Sequence, residues 1–255
     1  MKKIISIDKS IIPACDVSLE KFEEIVKQTA DIEKVGGYKI PATSGLNGWV
    51  NWVDTARIYT SKPLIYDHQK AATDVPYTAK KFMECLSAAD FDAVILFPQA
   101  GPVTEYEWIK AAQDNELGVI VGGEMTHPRY LEGDLSNEKE KDYTKIFADL
   151  GFNKDLTGFI RPNALEYMYE LAARMGVTDF VVPGNKPNRI VHYKALIEHC
   201  GVTNAVYYLP GFEAQGGNIT ESEKAAGKRF HKIVGRAIYE AKDIRQATLD
   251  SASKL

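Results

Sequence analysis

Cysteine is scarce in this sequence, and the patterns that cysteine-dependent folds require are missing. Only three of the 255 residues are cysteines, at positions 15, 85 and 200. Their number is odd, they lie far apart and no Cys-x-x-Cys pair occurs, so neither a disulfide framework nor a zinc ribbon is predicted. The histidines at positions 127, 192, 199 and 231 also lack the spacing of metal ligands. We therefore predict no metal site.

The sequence also lacks long apolar runs and an excess of positive charge. Its first eight residues, MKKIISID, do not resemble a signal peptide, and no later run approaches the length of a membrane span. The formal net charge is −4, which disfavours binding to a nucleic-acid backbone. We therefore expect a cytoplasmic protein that binds neither membranes nor nucleic acids. Any phosphate that it binds should be small and local.

What the sequence does contain is a regular alternation of short apolar segments and longer amphipathic ones. The short segments are nearly continuous apolar runs, as expected for parallel strands that are covered by helices. The predicted strands are 10–16, 37–41, 64–67, 93–98, 118–122, 179–183, 205–210 and 232–234. The predicted helices include 19–35, with Ser18 as its cap, and 78–89, 105–116, 162–175, 190–199, 221–230 and 237–250.

This alternation predicts an α/β fold, a (β/α)8 TIM barrel, as a single domain over residues 1–255. An open doubly wound sheet is the alternative, but no Gly-x-Gly-x-x-Gly turn follows the first strand. One irregularity is an extended excursion after strand 5, over residues 128–158. We expect a solvated surface loop and helix there, and a lid over a pocket is the alternative.

Charged side chains collect at the carboxyl ends of the predicted strands, where barrel enzymes carry their active sites. Asp16 ends strand 1, Lys39 lies on strand 2, and strand 3 runs into Asp67, Lys70 and Asp74. Lysines and carboxylates that meet at one barrel mouth can hold each other ionised in a poorly hydrated site. The pattern therefore indicates a catalytic centre at this end.

The end of the sequence predicts a phosphate site. Gly216 and Gly217 follow strand 7, where the absence of a side chain lets backbone N–H groups approach an anion closely. Gly235 and Arg236 open the last helical region, whose N–H groups and dipole favour negative charge, and the arginine adds a bidentate partner. Barrels often bind phosphate on the loops after strands 7 and 8.

Six segments, in order and across almost the whole chain, together resemble the orotidine 5′-phosphate decarboxylase family. They are 13–16, 38–40, 67–78, 123–128, 210–218 and 233–239. The AQGG run at 214–217 with VGR at 234–236 is the most specific part, and EMTHP at 124–128 narrows the resemblance to the decarboxylase itself. The resemblance implies a barrel that converts orotidine 5′-phosphate to uridine 5′-phosphate in pyrimidine nucleotide synthesis, without a metal or an organic cofactor.

The resemblance also implies a role for each matched charged residue. Asp16 would hold a ribose hydroxyl. Lys39, Asp67, Lys70 and Asp74 would form an alternating network in which Lys70 stabilises and then protonates the carbanion at C6 of the pyrimidine. In a homodimer, Asp74 would reach in from the other subunit.

The remaining matched residues would bind the substrate. Thr78 would accompany Asp74 across the dimer interface, and Thr126 would contact the pyrimidine where the family has a serine. Pro210 and Phe212 would lie on a loop that closes over the ligand. The phosphate would be bound by Gln215, Gly235 and Arg236.

The strand-3 motif is longer than the family's Asp-x-Lys-x-x-Asp, because it reads Asp67-x-x-Lys70-x-x-x-Asp74. On a regular strand Asp67 and Lys70 would point to opposite faces. A bulge that restores the pair is the interpretation we favour, and replacement of the aspartate by His68 or Gln69 is the alternative. Two other functions remain open: a metal-dependent sister enzyme that acts on a sugar phosphate, and a catalytically silent barrel that binds a nucleotide.

Overall fold

The computed structural model describes residues 3–68, 74–137, 141–152, 156–211 and 219–255. Within these ranges eight parallel strands form one sheet, in the order β1-β8-β7-β6-β5-β4-β3-β2. The strands are β1 Lys9–Pro13, β2 Tyr38–Pro41, β3 Leu64–Asp67, β4 Ala93–Leu96, β5 Gly118–Gly122, β6 Asp179–Val181, β7 Val206–Pro210 and β8 Phe230–Val234.

The two edges of this sheet, β1 and β2, meet and close the barrel. Parallel bridges join Ile11 to Val35 and Ala14 to Lys39. The Cys15 N–H donates to the Lys39 carbonyl oxygen at 2.9 Å. The predicted (β/α)8 barrel is therefore confirmed, and each predicted strand overlaps an observed one.

Helices alternate with the strands and cover the outside of the barrel. They are α1 Leu19–Thr29, α2 Trp49–Arg57, α3 Ala79–Ala88, α4 Pro102–Asp114, α5 Tyr143–Asp149, α6 Pro162–Arg174, α7 Pro187–His199, α8 Ile219–Ala226, α9 Arg236–Tyr239 and α10 Ile244–Ala252. Ser18 caps α1 as predicted, because its side chain accepts a hydrogen bond from the Lys21 N–H.

Three predicted helices have wrong boundaries. The predicted helix 221–230 ends at Ala226, because Phe230 begins β8. Helix α1 ends at Thr29 rather than at residue 35, because the Lys34 carbonyl accepts a hydrogen bond from the Ile11 N–H at 2.8 Å and so belongs to the barrel closure. The predicted helix 237–250 is two helices. Asp243 separates them, since its side chain caps the start of α10 by accepting from the Gln246 N–H at 2.8 Å.

The period-two alternation of the strands divides the interior into two apolar clusters. On β3, Leu64 and Tyr66 face the helices, whereas Ile65 belongs to the small cluster inside the barrel. Asp67, two residues after Ile65, therefore also faces the interior. Polar groups at such inward positions near the carboxyl ends of the strands line the barrel mouth.

The excursion after β5 is attached to the barrel at its base. Tyr130 is buried, and its hydroxyl donates to the Gly123 carbonyl at 2.6 Å. The Arg129 guanidinium donates to the carbonyl of Leu156 at 2.8 Å. Helix α5 lies within the excursion and has no buried side chain, which confirms the predicted surface helix. Every helix in the described ranges is too short or too polar to cross a membrane.

Candidate active site

A buried lysine with two carboxylate neighbours lies at the carboxyl-end mouth of the barrel. Lys39, from β2, is 2% exposed. Its ammonium group forms an ion pair with Asp67, at the end of β3, and lies 3.5 Å from an Asp16 carboxylate oxygen, after β1. Burial by itself lowers the pKa of Lys39, but the negative charges of Asp67 and Asp16 outweigh it and raise the pKa. The three neighbouring strands therefore hold a protonated amine in a poorly hydrated place.

The structure corrects one interpretation of the long strand-3 motif. The side chain of His68 leaves the barrel and stacks on Trp108, with 4.8 Å between ring centroids, while Asp67 reaches Lys39. The suggestion that His68 takes the place of the aspartate is therefore wrong. Burial lowers the pKa of His68, so its imidazole is neutral in this aromatic layer. Gln69, Lys70 and the predicted bulge lie outside the described residues.

Asp74 and Thr78 belong to the turn that leads into α3. Asp74 is exposed, and one of its carboxylate oxygens accepts from the Val75 N–H at 2.7 Å. The Thr78 hydroxyl donates to the Val75 carbonyl at 2.8 Å in the turn that leads into α3. Within one protomer, these two side chains are occupied with their own turn.

A second charged cluster stands after β5 and β6. Glu124 is 2% exposed and accepts hydrogen bonds from Lys186 at 2.8 Å, Arg189 at 2.7 Å and the Tyr193 hydroxyl at 2.5 Å. Burial by itself raises the pKa of Glu124, but these three hydrogen bonds outweigh it and lower the pKa, so the carboxylate is ionised. Thr126 is half-buried in the same turn.

Sequence reasoning included Glu124 in the matched segment 124–128 but missed the residues that hold it. The signal that would have found Lys186 and Arg189 is their position between the end of strand 6 and the first turn of α7, which extends the strand-end criterion that selected Asp16 and Asp67. The hydroxyl donor, Tyr193, lies one turn further along α7 and has no comparable signal, because its position is that of an ordinary core residue.

The residues predicted to bind phosphate follow β7 and β8 in the sequence, and β7 is next to β6 in the barrel order. Pro210, at the end of β7, is in register with Ile233 of β8, so the two strand ends are adjacent. Gly235 precedes α9, where an added Cβ would lie 3.4 Å from the Tyr239 ring. Arg236 is exposed at the start of α9. Phe212, Gln215, Gly216 and Gly217 lie outside the described residues.

Within the described part of the chain, no group of three or more histidine, cysteine, aspartate or glutamate side chains could hold a metal ion. The charged groups at the mouth are instead lysine–carboxylate and arginine–carboxylate pairs. This layout, ionised pairs at the carboxyl ends of the strands of a closed barrel, defines the class: a (β/α)8-barrel enzyme.

Comparisons with known proteins narrow this class. No protein-family model matches the sequence. The chain is 27% identical over 237 residues to the orotidine 5′-phosphate decarboxylase of Methanococcus maripaludis strain S2. The alignment covers 92% of this chain and 91% of that protein. It is 28% identical over 235 residues to the orotidine 5′-phosphate decarboxylase of Methanosarcina barkeri, covering 92% of this chain and 87% of the relative.

Solved structures agree on the fold. The structure of orotidine 5′-monophosphate decarboxylase from Methanocaldococcus jannaschii, complexed with inhibitor BMP, superposes with a TM-score of 0.74 at 21% identity, over 98% of this chain and 99% of that one. The Pyrococcus horikoshii enzyme gives a TM-score of 0.70 at 23% identity, over 96% and 98%. In sequence the chain is similar to curated orotidine 5′-phosphate decarboxylases, the family that its motifs resemble, and in fold it shares the barrel of their solved structures.

Proposed function

We propose that this protein decarboxylates orotidine 5′-phosphate to uridine 5′-phosphate. The observation that carries the proposal is the buried Lys39–Asp67 ion pair, with Asp16 beside it, at the mouth of a barrel. The chain that builds it is similar over about nine-tenths of its length to curated decarboxylases of this substrate.

The reaction calls for a fixed positive charge. The bond between C6 of the pyrimidine and its carboxylate breaks, CO2 leaves, and the electron pair stays on C6, where the ring delocalises it poorly. An ammonium group held at that carbon stabilises the developing charge and then donates its proton to C6. The group works best if neighbouring carboxylates keep it protonated and aimed, which is the arrangement in which Lys39 is already found.

We assign the proton donation to Lys70, which follows Asp67 at the end of β3. In this assignment Asp67 and Lys39 form the fixed part of the network, and Asp16 holds a ribose hydroxyl. Support comes from Asp67, three residues before Lys70 in the sequence, whose side chain faces the barrel interior and pairs with Lys39. The assignment of Lys70 itself rests on the resemblance of the motif.

We assign the phosphate to the side of the mouth formed by β7 and β8. Gly235 and Arg236 would bind it together with Gln215, while Pro210 and Phe212 would belong to the loop that closes over it. The adjacency of the β7 and β8 ends supports this placement. Binding energy from the phosphate, which takes no part in bond breaking, can drive the loop closure and the preorganisation of the charged network.

We also propose that the active unit is a homodimer in which Asp74 and Thr78 reach the partner's site. Asp74 is exposed and Thr78 is half-buried, and Val75 and Tyr77 between them are 43% and 84% exposed, so this turn offers apolar surface to a partner. We also propose that the protein is cytoplasmic. The three cysteines of the protein are free, which suits a reducing compartment.

A spectrophotometric assay tests the reaction. The wild-type protein is mixed with orotidine 5′-phosphate, with and without a chelator, and loss of the orotate absorbance is followed. We expect turnover that the chelator does not change, and none in Lys70→Ala, which should still bind uridine 5′-phosphate. Lys80→Ala, which alters an exposed lysine on α3, is the matched control and should keep the wild-type rate.

Three other outcomes of this assay would contradict part of the proposed function. Loss of activity with chelator would favour the metal-dependent sugar-phosphate enzyme. Binding of uridine 5′-phosphate without any turnover by the wild type would favour a silent nucleotide-binding barrel. A near-normal rate in Lys70→Ala would remove this residue as the proton donor.

A further inference from the structure

The Glu124 cluster is built more elaborately than a surface ion pair. One carboxylate, 2% exposed, takes three charged or hydroxyl donors, and these come from α7 and from the residue just before it. Taking the Glu124 charge out of water costs free energy that a well-packed apolar side chain would avoid. The arrangement therefore calls for an explanation other than stability.

The same donors hold the backbone of the turn that follows Glu124. The Lys186 ammonium donates to the Met125 carbonyl at 3.2 Å as well as to the Glu124 carboxylate. The neighbouring Asn185 amide donates to the Thr126 carbonyl at 3.1 Å. Three consecutive residues of the β5 turn are thus tied to the residues that follow β6.

The cluster stands on a fixed base. The Tyr169 hydroxyl accepts from the Gly123 N–H at 3.1 Å and donates to the Val181 carbonyl at 2.7 Å, so it joins the ends of β5 and β6. The Tyr169 ring packs against the Tyr193 ring with 4.4 Å between centroids. Because the ends of β5 and β6 are joined in this way, a shift of Glu124 would also move Thr126, two residues further along the same turn.

The location of this turn indicates which part of a ligand it would meet. In the barrel order, β5 lies across from β1 and is separated from β8 by β6 and β7. A nucleotide with its phosphate at β7 and β8 and its reacting carbon at the Asp67 network of β3 would cross the mouth, and its pyrimidine would then lie within two strands of β5 and of the turn at residues 124–126. The turn would then border the pyrimidine rather than the phosphate.

We propose that Glu124 is a positioning residue, which uses Lys186 and Arg189 to fix the 124–126 turn against the pyrimidine end of the ligand. The inference rests on the proposed function and adds a residue that acts through Thr126 rather than on the reacting atoms.

The test compares two ligands that share the phosphate but differ in the base. Dissociation constants for uridine 5′-phosphate and ribose 5-phosphate are measured by calorimetry for the wild type and for Glu124→Gln. We expect the variant to bind uridine 5′-phosphate about tenfold more weakly, as the loss of one charge-assisted contact implies, and ribose 5-phosphate within about twofold of the wild type.

Two further variants keep the inference open to refutation. Glu170→Gln removes a surface ion pair with Arg174 on α6 and should change neither affinity. Lys186→Met leaves Glu124 its bonds to Arg189 and Tyr193, and serves if Glu124→Gln does not fold, with the same selective loss expected on a smaller scale.

The outcomes separate this inference from the proposed reaction. If both affinities fall together, or if neither falls, Glu124 has only a structural role and the inference is overturned. If the selective loss is found but the wild type does not decarboxylate orotidine 5′-phosphate, the positioning role stands and the reaction fails. If the wild type binds no uridine 5′-phosphate, both are refuted.

Discussion

Replacement of Asp67 with asparagine is the sharpest single test of the charged mouth. The Lys39 side chain is 3% exposed and the Asp67 side chain 0%, so their ion pair is almost fully removed from water. An asparagine of nearly the same shape keeps the packing but takes away the negative charge. Of the carboxylates near Lys39 in the described residues, Asp16 then remains, at 3.5 Å.

The expected loss of stability follows from this geometry. Removing one partner of a buried ion pair costs ~3–5 kcal/mol, because the other charge stays buried without compensation. Asp16 is 26% exposed, so solvent screens its charge, but at 3.5 Å it still offsets part of the loss. We therefore expect the lower end of the range, about 3 kcal/mol, which moves the urea midpoint down by roughly 1 M for a slope of about 3 kcal/mol per M.

Equilibrium unfolding in urea at neutral pH, followed by circular dichroism, measures this loss. Lys39→Met and the double variant complete a double-mutant cycle. We expect the double variant to be more stable than the sum of the two single losses predicts, by at least about 2 kcal/mol, because it leaves no buried charge unpaired. Asp54→Asn, at an exposed position on α2, is the control and should fall within about 0.5 kcal/mol of the wild type.

Two results would refute the reasoning. A cost below about 1 kcal/mol for Asp67→Asn would mean that the pair is effectively solvated, since this is the range of surface pairs. Strict additivity in the cycle would mean that the charges of Lys39 and Asp67 do not stabilise each other in the folded protein.

Three other predictions follow from the same structure. Arg236→Ala should weaken binding of uridine 5′-phosphate by about 2–3 kcal/mol, measured by calorimetry, and an unchanged affinity would place the phosphate elsewhere. Burial raises the pKa of Glu105 to about 8 from an ordinary 4.5, so the folded protein retains a proton that the unfolded chain releases and stability should fall as pH rises through this interval. Urea unfolding of Glu105→Gln across that interval should show a flatter profile and a gain on the order of a few kcal/mol at its alkaline end, whereas Glu107→Gln, exposed on the same helix, should follow the wild type. Mixing inactive Lys70→Ala and Asp74→Ala proteins should restore part of the activity if the sites are shared between subunits, and the absence of rescue would indicate self-contained sites.

The barrel could be predicted because its physical causes are local and repeated. A strand covered on both faces must be apolar along its length, and β4, with the sequence AVIL, shows this without ambiguity. The end of α1 could not be predicted in the same way. The segment after Thr29 remains compatible with a helix until a distant strand, β1, binds its backbone.

The active site likewise has residues that the sequence could place and residues that it could not. Lys39 and Asp67 could be placed at one mouth because parallel strands end on the same side. The direction of His68 could not be decided from spacing, because the strand ends at Asp67 and the period-two rule no longer applies with certainty beyond it. Its aromatic neighbours on α3 and α4, Phe82 and Trp108, are brought to it only by the folded chain.

The residues where the excursion after β5 starts and ends, 131–132 and 158–160, offer a site for protein engineering. The Glu132 N–H donates to the Ile160 carbonyl at 2.8 Å and the Gly158 N–H donates to the Leu131 carbonyl at 3.0 Å, so the two ends of a segment of nearly thirty residues leave the barrel side by side. Chain ends this close can be joined by a short turn or can accept a foreign domain at small entropic cost. The protein is thus a natural scaffold for grafting, with an attachment point that leaves every strand of the barrel untouched.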